Sequence, residues 1–300
     1  MIGYVCALVT AILFGFTFSM AKQPLENVDP LLLSAIVYPI SFGTLIPFAK
    51  ASFKIESKKD FLDIILVSIL GAVIAPILLF FGLEQTDASD AALLTNAQII
   101  FTILLSTLFF GEKPSGVVGS CGVVIVFIGL FFAITGLDIS ESLLQYEPGK
   151  IMIIGAMLSW AIDNNISRRL TKRSTVRPAK IAMLKFLIGS IILFGIATVV
   201  KESSSLAGVI ESLLLIKPSE WPIIIGVSVF GFAVVLLLLL ESLKKIGTVR
   251  TMVILSLTPI FGVIAASIVH AEPINIIEAI ATGIIIIGII MVSKSGSIPN

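Results

Sequence analysis

The sequence has very few of the side chains that bind metal ions or form disulfides. Its 300 residues include two cysteines, Cys6 and Cys121, and one histidine, His270. Both cysteines lie inside apolar runs, far from any second ligand, so we interpret them as small hydrophobic residues. The sequence also lacks an HExxH motif, a Walker A loop and a GxSxG elbow. We therefore expect no catalytic site, no bound metal and no cofactor.

Charge is also scarce. Only 13% of the residues are charged and the net charge is +1, so the chain has no basic surface of the kind that binds nucleic acid. In contrast, 57% of the residues are hydrophobic and the mean hydropathy is +1.11. A soluble protein of this size could not bury so much apolar surface, whereas helices in lipid satisfy their own backbone and turn apolar side chains to the acyl chains. The composition therefore predicts an all-α membrane protein surrounded by a lipid bilayer.

Ten apolar runs are long enough to cross a bilayer, which requires about 20 residues for each helix. They lie near residues 2–21, 30–48, 61–82, 89–110, 115–135, 150–170, 179–200, 221–242, 248–269 and 274–293. Short connections rich in proline, glycine and charge separate them, and the first run lacks the basic start of a signal peptide. Pro39, Pro76 and Pro259 interrupt three of the runs and predict bends in those helices.

The distribution of basic residues predicts which side each connection faces, because Lys and Arg near helix ends resist translocation. With the N-terminus inside, fifteen of the twenty Lys and Arg residues fall in the inner connections or the C-terminal tail. The outer connections collect mostly Asp and Glu. We therefore expect a multi-pass protein of the cell membrane with both termini in the cytoplasm. Ionisable residues near helix ends, among them Lys22 and Asp63, are expected to be solvated.

The two halves of the chain resemble each other. A shift of 160 residues aligns many positions without a gap, including Glu112 with Glu272. Because each half contains five runs, an odd number, the second half enters the membrane from the opposite side. The charges agree, since the connection before the fourth run is acidic and the one before the ninth run is basic. The sequence thus predicts two inverted five-helix repeats, residues 1–140 and 141–300, although two apolar bundles can also align by chance.

Four short motifs stand at matching points of the two halves. They are Phe14-Gly15 in the first run, Trp160-Ala161 in the sixth, and the turns Gly111-Glu112-Lys113-Pro114 and Ala271-Glu272-Pro273 after the fourth and ninth. With ten spans in two halves, this pattern resembles the EamA family of the drug/metabolite transporter superfamily over nearly the whole chain. The resemblance implies a basket-like bundle with a central cavity that works by alternating access, often as an exporter of amino acids or other small metabolites.

The chain departs from the family pattern at two places. Phe14 stands where many members have tryptophan, and Asp163-Asn164-Asn165 replaces a more apolar stretch. The resemblance therefore does not identify the substrate.

Asp163 lies deeper than the acidic residues at the helix ends, about 8–10 Å from the inner end of the sixth helix. Lys185 lies at a similar depth in the seventh helix. A pair between them would make both charges tolerable, and opening it on protonation or substrate binding is one way to couple to a gate. In the alternative, Lys185 extends to the membrane surface and Asp163 pairs with Arg168 or Arg169. We prefer this separate placement on the sequence alone.

The candidate substrate-binding residues are polar and aromatic side chains within the runs. They are Phe14, Phe18, Asn96, Gln98, Trp160, Asn164, Ser256 and Thr258. Several match each other between the halves: Asn96 matches Ser256 and Gln98 matches Thr258 at the shift of 160, and Phe14 matches Trp160 at a shift of 146. A cavity with aromatic walls and amides suits small amphipathic solutes. The polar residues are equally typical of hydrogen bonds between helices, and the aromatic residues are typical of lipid contact.

The favoured function is a secondary transporter that binds a small metabolite between the two halves. Export is the favoured direction. An integral-membrane enzyme acting on lipid would need grouped His, Asp or Glu, and a channel-like or scaffold subunit is expected to show a polar stripe along one helix. The sequence shows neither.

Glu112 and Glu272, at the matching turns, are expected to cap the fifth and tenth helices. The sequence is compatible with a monomer and with a homodimer.

Overall fold

The computed structural model describes residues 1–49, 55, 57–109, 116–135, 147–174, 176–200, 206–272 and 276–294. Within these ranges the chain forms helices and short turns, without a strand. The helices are α1 Ile2–Leu25, α2 Pro30–Ala49, α3 Lys58–Glu84, α4 Ala88–Phe109, α5 Gly116–Thr135, α6 Pro148–Arg173, α7 Pro178–Val200, α8 Leu206–Leu214, α9 Trp221–Ile246, α10 Thr248–His270 and α11 Ile276–Lys294. The turn at 111–114 and most of the connection at 136–149 lie outside the described residues.

Seven of the helices in the described ranges are long and apolar enough to cross a membrane: α1, α2, α3, α4, α7, α9 and α10. Shorter apolar stretches occur at Gly116–Gly129 in α5 and at Ala279–Gly288 in α11. Helix α6 has 26 residues, but it carries six charged side chains, so its composition alone does not mark it as a span. Length and composition therefore establish a multi-pass helical membrane protein.

Helices of the first part of the chain pack against helices of the second part. Helix α1 packs against α9 and α10, and α6 packs against α3 and α4. Helix α2 packs against α7, and α5 against α11. Glycine allows the closest of these approaches: a Cβ atom on Gly129 would lie 2.6 Å from a side-chain carbon of Ile285, and one on Gly288 would lie 2.7 Å from the carbonyl oxygen of Gly122.

Four of the long helices are interrupted. Helix α3 contains a π-helical turn at Leu70–Ile74, and α9 contains one at Val227–Val234. Helix α4 breaks at Thr95, and α10 breaks at Ser256 and Leu257. The π-helical turn of α3 comes directly before Ala75-Pro76, where proline removes a backbone N–H group and disturbs the α-helical hydrogen bonds. These interruptions free backbone carbonyl groups in the interior of the bundle.

Candidate functional site

A small cavity lies in the interior of the bundle, where side chains from both parts of the chain meet. Its volume is about 50 Å³. Its polar and aromatic lining includes Thr10, Phe14, Tyr38, Gln98, Trp160, Asp163, Asn164, Lys185, Phe186 and Phe232. Pockets that hold metabolite-sized ligands are usually about 300 Å³ or larger. The helices around the cavity must therefore separate before it can accept a metabolite.

A buried ion pair forms the charged side of this cavity. Lys185 Nζ donates a hydrogen bond to Asp163 Oδ2, and Ser167 Oγ donates to Asp163 Oδ1 at 3.0 Å. Asp163 is 2% exposed and Lys185 is 3% exposed. Removing two charges from water costs several kcal/mol for each ion, which a close and hydrogen-bonded pair can offset. A charged pair that borders a cavity is also available to any ligand that enters it.

The preferred sequence interpretation, which kept the two charges apart, is wrong. Arg169 Nη2 instead contacts Asp63 Oδ1 at 3.0 Å, and Arg168 Nη1 donates to the carbonyl oxygen of Lys244 at 3.3 Å. Asp163 pairs with Lys185, as the first of the two sequence interpretations proposed.

The π-helical turn of α3 supplies a backbone acceptor beside the ion pair. The carbonyl oxygen of Gly71 accepts hydrogen bonds from Trp160 Nε1 at 3.0 Å and from the Tyr38 hydroxyl at 3.4 Å. The preceding carbonyl, that of Leu70, accepts from Ser159 Oγ at 2.8 Å. The irregular turn therefore holds the aromatic wall of the cavity in position. Sequence analysis missed Gly71, because it lies in an apolar run whose register with α6 is not visible in the sequence.

Aromatic side chains surround the cavity in two clusters. The Phe14 ring lies 5.0 Å from Phe18 and 5.6 Å from Trp160, both edge to face. Tyr38 lies 5.2 Å from Phe186 and 5.5 Å from Phe232, measured between ring centroids. Such pairs stabilise a packed wall by about 0.5–1.5 kcal/mol each beyond the burial of their area.

The structure brings only part of the predicted binding set to the cavity. Phe14, Gln98, Trp160 and Asn164 line it, together with Asp163 and Lys185. Phe18, Asn96, Ser256 and Thr258 are buried but are not among the described residues that line it. Asn96 follows the break in α4, and Ser256 and Thr258 lie at the break in α10. Phe18 packs against Phe14. A binding role for these four residues stays a prediction.

A network of ion pairs joins the start of α3 to the end of α6. Arg173 Nη2 lies 2.5 Å from Asp60 Oδ1 and 3.0 Å from Asp63 Oδ2, and Ser174 Oγ donates to Asp60 Oδ2 at 2.6 Å. The expectation that Asp63 is solvated is wrong, because the residue is 7% exposed and paired with arginine.

At the opposite end of the bundle, Lys22 pairs with Asp87 at 3.2 Å and Lys150 pairs with Asp90 at 3.0 Å.

Glu272 makes contacts that the sequence did not predict. Its two carboxylate oxygens accept hydrogen bonds from the backbone nitrogens of Ala88, at 3.2 Å, and Ser89, at 3.0 Å. The side chain therefore caps the start of α4. The free N–H groups and the positive end of a helix dipole explain why a carboxylate is favoured there. Glu112 lies outside the described residues.

Replacing Glu272 by alanine should lower the free energy of unfolding by about 1 kcal/mol, the usual cost of losing a helix cap. Chemical denaturation of the detergent-purified protein measures the effect. Glu84→Ala is the matched control, because Glu84 is an exposed glutamate at the end of α3, and substitutions at such positions stay within about 0.5 kcal/mol. Equal losses in the two variants would contradict the capping role.

Comparison with known families gives one match over most of the chain. A model described as the EamA-like transporter family matches residues 1–135 and 147–294.

Individual relatives are similar along most of their length. An uncharacterised transporter of Methanothermobacter thermautotrophicus is 26% identical, over 98% of this chain and 87% of that protein. The uncharacterised transporter YyaM of Bacillus subtilis is 23% identical, over 99% and 95% of the two chains. A probable amino-acid metabolite efflux pump of Escherichia coli is 24% identical, over 95% and 92%. A solved crystal structure has a TM-score of 0.70 at 15% identity, over 97% of this chain and 96% of that one, and this likeness shows the fold alone.

Proposed function

Because the chain belongs to the EamA-like transporter family, we propose that it is a carrier that moves small metabolites, in the first instance amino acids, through the cavity beside Asp163 and Lys185. The family and the named relatives are transporters and not enzymes. The chain is accordingly a membrane transporter, and the alternative of an enzyme acting on lipid is set aside. The observation that carries the proposal is the buried ion pair at the wall of a cavity formed by both parts of the chain.

An amino acid matches the chemistry of this wall. Its ammonium group can replace Lys185 as the partner of Asp163, while its carboxylate replaces Asp163 as the partner of Lys185. Each charge then keeps a partner throughout the exchange, which avoids the cost of an isolated charge in the membrane interior. The Asn164 Nδ2 group is buried and has no hydrogen-bond partner among the described residues, so it can donate to the incoming carboxylate. The Escherichia coli relative is named as an amino-acid metabolite efflux pump, which supports amino acids as cargo and export as the direction.

The proposed architecture is ten membrane crossings in two inverted five-helix halves, residues 1–140 and 141–300. The family model matches the chain in two segments, 1–135 and 147–294, which supports a division near residue 140. The helix interruptions add independent support. The shift of 160 residues carries Leu70–Ile74 into Val227–Val234, and it carries the break at Thr95 to Leu255, next to the break in α10.

The packing pattern has the same symmetry. If α1–α5 correspond to α6, α7, α9, α10 and α11, the contact of α1 with α9 becomes the contact of α6 with α3. The contact of α1 with α10 becomes that of α6 with α4, and the pairs α2–α7 and α5–α11 map onto themselves. Two halves related by a twofold axis produce this pattern.

Alternating access would then involve the charged networks at the two ends of the bundle. With both termini in the cytoplasm of the cell, the basic residues lie mostly inside, in agreement with the positive-inside rule. The pairs formed by Arg169 and Arg173 with Asp60 and Asp63 would close the inner end, and the pairs of Lys22 and Lys150 would close the outer end. Opening one network while the other stays closed would expose the central cavity to one side at a time.

Counterflow in proteoliposomes tests the proposal. Vesicles that contain the purified protein are loaded with one unlabelled amino acid and placed in the same labelled amino acid, and each of the common amino acids is tried in turn. A carrier gives transient accumulation of label that depends on the internal load. Flux without this dependence would indicate a channel, and no flux for any amino acid would reject amino acids as cargo.

The same assay tests the ion pair. Asp163→Asn keeps the size of the side chain but removes its charge, so we expect counterflow to fall at least about tenfold, since a charge-assisted hydrogen bond is about twice as strong as a neutral one. Glu241→Gln is the matched control, at a partly exposed carboxylate of α9 that pairs with Lys245 of the same helix. Normal counterflow in Asp163→Asn would exclude the pair from substrate recognition.

A further inference from the structure

A second cavity lies at the end of the bundle that carries Lys22 and Asp87. The turn between α1 and α2 forms one side of it, and the segment from α8 to the start of α9 forms the other. Its volume is about 320 Å³, which is much larger than that of the central cavity. Asn27, Asp29, Lys217 and Glu220 contribute polar groups to its wall, and Val28 and Ile216 contribute apolar surface. The two cavities share none of their described lining residues.

Glu220 is the unusual residue of this cavity. The residue is 8% exposed, and its Oε2 atom has no hydrogen-bond partner in the part of the chain that the structure describes. It precedes α9 directly but makes no side-chain cap there. Buried polar atoms are almost always hydrogen-bonded, because an unsatisfied one loses its water without compensation. A buried carboxylate on the wall of a cavity therefore marks a position where a donor from a ligand completes the hydrogen bonding.

The other charged groups of the wall decide which ligand fits. Asp29 Oδ1 accepts the backbone N–H of Leu32 at 2.9 Å, and Lys217 Nζ donates to Asn27 Oδ1 at 3.3 Å. Two carboxylates and one ammonium group leave the cavity with a net charge of −1, counted over Asp29, Glu220 and Lys217. A negative, partly buried wall favours a cation. The described residues contain no group of three His, Cys, Asp or Glu that could hold a metal ion, which favours an organic cation over an inorganic one.

We propose that this cavity binds a small organic ammonium ion, whose N–H groups donate to Glu220 and whose carbon skeleton packs on Val28 and Ile216. The site lies apart from the Asp163–Lys185 pair, so the proposal goes beyond the carrier function and does not depend on the cargo. Protein interiors are closely packed and leave few cavities larger than a water molecule. A bound ligand would explain why a cavity of this size persists between the two connections. A bound cation would hold the turn between α1 and α2 against the connection that leads into α9.

Ethylammonium chloride is the probe for this site. Detergent-purified full-length protein is titrated with it, at constant ionic strength maintained with sodium chloride, and the midpoint of thermal unfolding is recorded. Saturable stabilisation is expected for the wild type, because a ligand that binds only the folded state raises its stability. The apparent affinity should be about tenfold weaker in Glu220→Gln, since the charge-assisted hydrogen bond is lost.

Two further variants test whether the stabilisation arises from binding at this cavity. Glu211→Gln, at an exposed glutamate of the neighbouring α8, should leave the titration unchanged. Lys217→Gln removes the positive charge of the wall at an exposed position, so it should tighten binding about two- to threefold, and it keeps the proposal testable if Glu220→Gln does not fold. The proposal is overturned if ethylammonium and sodium act equally, if Glu220→Gln titrates like the wild type, or if Lys217→Gln weakens binding.

Discussion

Gly71→Ala is expected to abolish transport and to lower the stability of the protein by about 1–3 kcal/mol, the usual cost of overpacking a buried site. A Cβ atom at this position would overlap the carboxylate of Asp163 and would lie 2.5 Å from Lys185 Nζ. Either the ion pair separates or the π-helical turn moves away from α6. Both outcomes disturb the acceptor that holds Trp160 and Tyr38 against the cavity.

The matched control is Gly195→Ala in α7, where an added Cβ atom meets nothing within 4 Å. Alanine is the better helix former, by about 1 kcal/mol, so this variant should be at least as stable as the wild type and should transport normally. Counterflow and thermal unfolding of both variants test the prediction. If Gly71→Ala transports at the wild-type rate, the close contact between the π-helical turn and the ion pair has no part in the transport cycle.

Lys185→Met is expected to lower the free energy of unfolding by about 3–5 kcal/mol, because it leaves the Asp163 carboxylate buried without its partner. Asp163 retains the hydrogen bond from Ser167, which cannot replace a positive charge. Lys172→Met, at an exposed position of α6, should have little effect and serves as the control. Denaturant unfolding in detergent micelles measures the difference.

The double variant Lys185→Met with Asp163→Asn separates stability from transport. Replacing both partners of a buried pair by neutral groups is often nearly neutral for folding, so most of the lost stability should return. Transport should stay at least about tenfold below that of the wild type, because neither charge is available to the substrate. A double variant that transports normally would show that the pair only stabilises the folded protein.

The sequence predicted the helices well because their cause is local. Runs of about 20 apolar residues between breakers are recognisable without any knowledge of packing, and the described helices begin and end close to these runs. The depth of Asp163 and Lys185 followed from the rise of 1.5 Å per residue in a helix. Depth alone does not give the direction in which a side chain points around the helix, and for this reason the wrong partner for Asp163 was preferred.

The residues that sequence analysis missed depend on contacts between distant parts of the chain. Gly71 appears as one more small residue in an apolar run, and its importance follows only from the approach of α6 and α7 to α3. Glu272 was assigned to the nearest following helix, but its partners, Ala88 and Ser89, precede it by more than 180 residues. Pro76 does give a local signal for an irregular helix, although it does not specify a π-helical turn.

The cap that Glu272 provides for α4 has a consequence for how the protein assembles. The first turn of a helix in one half is completed by a side chain of the other half, and Trp160 likewise donates to a carbonyl of α3. Residues 1–140 expressed alone would insert without the carboxylate that accepts from the amides of Ala88 and Ser89, and the carbonyl of Gly71 would keep only the donor from Tyr38. The first part of the chain is thus expected to reach its final arrangement only after Trp160 and Glu272 have been inserted beside it.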